Sequence, residues 1–127
     1  MEIDIKKQIE YWINTAEDDL NTAELLIANK KYLHGLFFCH LCIEKGVKAH
    51  IANYTNQIPP KLHSLSRLLT KTDLKLSDDE MKLTDTLMIY QLEGRYPEYY
   101  PIAPAPDISN KILIETKSLF LCLKNKL

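Results

Sequence analysis

The sequence predicts an all-α protein, an antiparallel up-and-down four-helix bundle with one additional short helix. Three observations predict it. Apolar residues recur at three- and four-residue spacing over long stretches, no stretch alternates as a strand does, and glycine and proline punctuate the chain at only a few places. No proline precedes Pro59, and four of the six crowd between Pro97 and Pro106.

From Ile5 the apolar residues fall at Ile9, Trp12, Ile13, Ala16, Leu20, Ala23 and Ile27, one buried stripe on a first helix whose other face carries Lys6, Glu10, Glu17, Asp18 and Glu24. Asn29-Lys30-Lys31 supplies a C-terminal cap and charges that suit the negative end of a helix dipole. A second helix, from Tyr32 to about Asn53, is apolar on several faces and so is expected at the centre. It holds Gly35 and Gly46, each costing about 1 kcal/mol relative to alanine, which predicts close approach of a neighbouring backbone. Asn53 to Lys61 is a connection, and His63 to Thr70 a short helix. Ser77-Asp78-Asp79-Glu80 reads as a capping box opening a helix that reaches about Glu93, with Gly94 ending it. Arg95 to Pro106 is too proline-rich for a helix. Asp107 or Ser109 is expected to cap the last helix, which runs to the C-terminus.

With 127 residues and 46% hydrophobic content the chain suits a single domain over residues 1–127, burying about two-thirds of its unfolded surface. No apolar run spans a bilayer, and the start Met1-Glu2-Ile3-Asp4 lacks the basic flank of a signal peptide. A cytoplasmic protein without membrane contact is expected. Three cysteines, Cys39, Cys42 and Cys122, make no disulfide framework and fit a reducing compartment. The net charge of −1 hides a pattern: −5 over residues 1–24, +6 over 25–76, −4 over 77–98 and +2 over 99–127. Acidic helices beside basic ones account for it, while the basic middle also suits an anionic ligand.

Cys39-His40-Leu41-Cys42 has metal or redox spacing but lies mid-helix with no second cysteine pair, so packing is the preferred reading; no metal or other cofactor is expected. Glu44, Lys45 and Lys48 interrupt the apolar second helix. Glu44 and Lys48 are in the favourable order for an ion pair, and a central position implies that these charges line a groove or a subunit boundary. His63 either caps the short helix or belongs to that groove. Arg95, one of two arginines against 14 lysines, stands beside Tyr96 among further tyrosines. It suits phosphate binding with a stacked base, or a brace to Glu44 or Asp85. His34 and His50 read as ordinary surface or boundary residues.

Ala16-Glu-Asp-Asp-Leu20 after Trp12, Tyr32-Leu33-His34, Cys42-Ile-Glu-Lys-Gly-Val-Lys-Ala49, Lys61-Leu-His-Ser-Leu65 and Gly94-Arg-Tyr-Pro97, in this order across nearly the whole chain, resemble the small prokaryotic HEPN domain proteins. HEPN denotes higher eukaryotes and prokaryotes nucleotide-binding. The resemblance implies a helical bundle that forms a homodimer, linked to nucleotide and RNA biology and often encoded beside a minimal nucleotidyltransferase as a toxin-antitoxin pair. Catalytic members are metal-independent ribonucleases with an Arg, four to six residues, then a His. Here the positions after Arg95 are Tyr100, Pro101 and Ile102, and after Arg67 they are Thr72, Asp73 and Leu74, so neither arginine has its histidine. Without that imidazole the general acid/base help, commonly about 10² to 10⁴ in rate, is missing.

The expectation is therefore a HEPN module that binds a nucleotide, RNA or a nucleotidyltransferase partner through Lys45, Lys48, His63, Arg95 and Tyr96, leaning away from catalysis. A divergent ribonuclease using His63 and Arg95 is the enzyme alternative. A structural homodimer or scaffold is the third.

Overall fold

The computed structural model describes residues 4–127; Met1 to Ile3, part of the sequence start considered above, lie outside the described residues. In chain order it contains α1 (Ile5–Ala28), α2 (Tyr32–Thr55), α3 (Leu65–Leu69), α4 (Asp78–Ile89), a 3-10 turn (Pro97–Tyr99) and α5 (Pro106–Asn125). Among the described residues there is no strand, and no helix is long and apolar enough to cross a membrane.

α1 begins where Asp4 accepts a hydrogen bond from the Lys7 amide at 3.1 Å, and it buries Ile13, Ala16, Leu20, Ala23 and Ile27, the stripe that the spacing predicts. Its end is a Schellman closure: the Lys30 amide donates to the Ile27 carbonyl and the Lys31 amide to the Leu26 carbonyl, with Lys30 at φ 62°. Only three residues then separate α1 from α2, so the two form an antiparallel hairpin.

α2 is the central helix, buried on several faces by Leu36, Cys39, Cys42, Ile43, Val47, Ala49 and Ile51. α5 lies antiparallel to α1, since Lys117 pairs with Glu24 and Lys124 with Glu17. It therefore runs parallel to α2, with Gly46 against Leu123 and Phe120. α3 and α4 add Leu65, Leu68, Leu83 and Leu87 to the same core cluster.

The two α2 glycines are close to neighbours, but those neighbours are mainly side chains rather than backbone. A Cβ on Gly35 would lie 2.5 Å from Ile27 Cγ1 and 3.4 Å from the Ala23 carbonyl; one on Gly46 would lie 3.1 Å from Leu123 Cδ1.

α2 runs to Thr55 and α3 covers only Leu65–Leu69, one or two residues from the sequence expectation, and the end of α4 and the start of α5 differ from it too. α4 opens on the capping box, with the Glu80 amide donating to Ser77 Oγ and the Ser77 amide to Glu80 Oε1, but it stops at Ile89, four residues before Glu93. The Tyr90 and Gln91 amides tighten onto carbonyls three residues back, and Gln91 then folds its side chain onto the Glu93 backbone. α5 begins earlier than expected. Pro106, with φ already set for a helix and no amide to satisfy, occupies its first position after Ala105, leaving Asp107 and Ser109 inside the helix. Ser109 Oγ instead donates back to the Pro104 carbonyl at 3.3 Å, tying the proline-rich loop to α5.

Candidate functional site

The polar interruption of α2 is a buried hub. His40, Glu44 and Lys48 are spaced four apart, so they share one stripe of the helix, and Glu44 lies between the other two. Glu44 is only 3% exposed. Its Oε2 accepts from Lys48 Nζ at 3.3 Å and its Oε1 from His63 Nδ1 at 3.1 Å, while His40 Nδ1 stands 3.9 Å from the same Oε1. Lys48 Nζ also sits 5.3 Å from the centre of the Trp12 ring on α1, a cation–π contact in a desolvated place. A carboxylate so placed survives burial because it has two cationic or donor partners.

His63 is the hub's outlet to solvent. Its side chain is 39% exposed, and the ring nitrogen opposite Glu44, Nε2, stands 3.4 Å from Glu93 Oε2. It does not cap α3; that role belongs to Ser64, whose Oγ accepts from the Arg67 amide. Glu93 belongs to the turn after α4, and Arg95 follows it on the exposed side of Gly94. Arg95 braces neither Glu44 nor Asp85: among the described residues its guanidinium has no ion pair or side-chain hydrogen bond, and the Glu44 oxygens are bonded by Lys48 and His63. Tyr96 beside it is 72% exposed.

His40 is fully buried, and neither ring nitrogen has a hydrogen-bond partner. Burial above all lowers its pKa from 6.5 to about 4. The His63 backbone, the next largest influence, pulls the other way, and the charges of His63, Arg95 and Lys48 add to the lowering. His50, on a later turn of α2, is buried too and bonds the Leu123 carbonyl through Nε2 at 2.7 Å; burial lowers its pKa. It ties α2 to α5, a bonded position at a helix boundary where the sequence suggests an ordinary surface or boundary residue.

Of the five residues singled out from sequence, Lys48 and His63 meet on the Glu44 carboxylate, while Arg95 and Tyr96 follow Glu93, which reaches His63, on the exposed turn after α4. Lys45 is turned away, its Nζ 2.7 Å from Asp19 Oδ2 on α1, because one residue along a helix rotates a side chain by about 100°. Three residues escaped the sequence reading. His40 was hidden inside the Cys-x-x-Cys spacing, although its four-residue offset from Glu44 was visible. Trp12 read as one more member of the α1 stripe. Glu93 read as the end of a helix that stops earlier, and no local signal marks the turn that carries it inward.

Cys39 and Cys42 pack in the core. Burial pushes the Cys39 thiol up to about 12 and raises Cys42 as well, the reverse of an activated nucleophile. Among the described residues no group of three or more His, Cys, Asp or Glu side chains is placed to hold a metal ion. A groove of about 660 Å³ between α4 and α5 is lined by Asp79, Leu83, Lys111, Glu115 and their neighbours, away from the Glu44 hub.

The fold, a helical bundle built around a central buried helix, is one that other proteins share. The HEPN domain model matches residues 9–125, and the chain belongs to the HEPN domain family. Two solved structures share the fold. TT1696 from Thermus thermophilus superposes with a TM-score of 0.78 at 21% identity, covering 94% of this chain and 98% of that one. ST0689, an archaeal HEPN homologue, gives 0.68 at 22% identity, covering 93% and 96%. No curated protein matches the sequence.

Proposed function

We propose that the protein is a HEPN module that binds the phosphate of a nucleotide or of RNA at the corner formed by Lys48, His63, Arg95 and Tyr96. The observation that carries this reading is the turn after α4: its Glu93 reaches His63, which the buried Glu44 holds in place, and Arg95 two residues on has a guanidinium without an acidic partner among the described residues. A planar donor fork of this kind suits phosphate oxygens, and the exposed Tyr96 ring offers a face for a base. Lys48 acts from below, fixing Glu44. Lys45 drops out, since Asp19 holds its charge on the α1 side. Binding rather than cleavage is the role, because neither arginine is followed by a histidine at ribonuclease spacing.

Titration of the protein with nucleoside monophosphates and a short RNA, read by calorimetry and by the fluorescence of its one tryptophan, tests the reading. Saturable binding that weakens about tenfold or more in Arg95→Ala is the expected result. No binding of either probe at millimolar concentration overturns it.

A second reading, an interface for another copy of the chain or for a nucleotidyltransferase partner, draws on one further observation. The loop after Arg95 exposes Tyr96, Tyr99 and Ile102, the last at 94%. Light scattering of the wild type and of Ile102→Lys separates the two readings: an assembly dissolved by the lysine, with no phosphate affinity, favours the interface.

A further inference from the structure

His63 faces two carboxylates, and they are not equivalent. Glu44 on its Nδ1 side is buried and bonded a second time by Lys48. Glu93 on its Nε2 side has a side chain 56% exposed, stands 3.4 Å away, and makes a charge contact without a formed hydrogen bond. Exposed pairs of this kind are weak, whereas a buried carboxylate cannot leave its partners cheaply. Only the Glu93 side of the ring is open to exchange.

The backbone explains how Glu93 comes to be there. Gln91 accepts the Glu93 amide proton through Oε1 and donates to the Glu93 carbonyl from Nε2. Gly94 follows at φ 81°, a conformation that favours glycine, and the Arg95 amide donates to the Leu92 carbonyl at 3.1 Å. The buried Leu92 anchors this turn in the core. The turn thereby brings Glu93 onto His63 and leaves Arg95, two residues on, with no carboxylate of its own among the described residues.

We propose that Glu93 is an internal stand-in for the ligand's phosphate: an incoming phosphate monoester or diester takes the place of the Glu93 carboxylate on His63 Nε2 and is held from its other oxygens by Arg95. This rests on the reading that the corner binds phosphate. With Nδ1 donating to Glu44, Nε2 is a donor in the doubly protonated ring; carboxylate and phosphate are both acceptor-only anions and compete for that donor, but a phosphate has oxygens for Arg95 as well, while Glu93 among the described residues meets only His63. The free protein therefore reports an affinity lowered by the share of molecules in which Glu93 occupies the ring.

The test compares wild type, Glu93→Gln, Glu98→Gln and Arg95→Gln, titrated with adenosine 5′-monophosphate and a short RNA. Glu98 is an exposed acid of the same loop with no ion pair among the described residues, so its variant changes the net charge equally. Glu93 is itself exposed, and an unchanged denaturant midpoint establishes that its variant is folded. Tighter binding by Glu93→Gln, about fivefold, with Glu98→Gln within twofold of wild type and Arg95→Gln weakened, is the result expected. Binding by the wild type that Glu93→Gln leaves equal or weaker, or that Glu98→Gln improves as much, overturns the stand-in and leaves the phosphate site standing. No binding by wild type or Glu93→Gln overturns the phosphate site, and the stand-in with it.

Discussion

Glu44 carries more of the structure than its single charge suggests, because Lys48 and His63 both depend on it. Glu44→Ala leaves a buried ammonium facing only the Trp12 ring, and the expected cost is about 3 kcal/mol, read as a lower urea midpoint. His40 works in the opposite sense. It is held neutral with both ring nitrogens unpartnered, its pKa lowered from 6.5 to about 4 chiefly by burial. Between those values the unfolded chain binds more protons than the folded one, so stability falls as pH drops from about 6.5 toward 4. The full loss is on the order of 3 kcal/mol, and His50, also lowered, adds to it with the same sign. His40→Leu removes an unsatisfied polar ring: stability at pH 7 should change by less than about 1 kcal/mol, while the decline toward pH 5 becomes shallower. Urea midpoints at the two pH values check this, and a decline as steep as that of wild type sinks it. The hub was half legible in the sequence. Four-residue spacing exposed the Glu44–Lys48 pair, but His63 and Glu93 arrive from distant segments whose direction no local pattern encodes.

Helix ends show where sequence reading succeeds and fails. Asn29 and Ser77 lie at boundaries marked by capping chemistry in the chain itself, and Asp4 caps α1 without having been singled out from sequence. The end of α4 and the start of α5 depend instead on tertiary pull: Leu92 is drawn into the core, and Pro106 starts a helix without any side-chain cap. Backbone strain offers two tests. Lys30 closes α1 at φ 62°, where a Cβ is unfavourable, so Lys30→Gly should stabilise by about 0.5 to 1 kcal/mol, seen as a raised melting temperature. Gly35 is the converse case. Alanine there gains helix propensity of about 1 kcal/mol but drives its Cβ to 2.5 Å from the buried Ile27, so Gly35→Ala should destabilise by about 1 to 3 kcal/mol. Combining it with Ile27→Ala, which removes the clashing atom, should cost less than the two single changes added together.

Across the whole molecule the alternating segment charges become a seam. Acidic α1 meets basic residues of α2 and α5 through Asp19–Lys45, Glu24–Lys117 and Glu17–Lys124. The net charge of −1 thus conceals internal matching between helices. The seam contributes orientation more than energy, because its outer pairs are half-exposed and worth about 0.5 kcal/mol or less each. Lys117→Glu places two acids together and should lower stability by about 0.5 to 1 kcal/mol at low salt, with Glu24→Lys in the same molecule recovering most of it. High salt should shrink both effects, since such charges are screened beyond about 10 Å at 0.1 M. Equal loss in the single and double variants at low salt would mean that this seam is mere packing, with the charge pattern playing no part in setting α5 against α1.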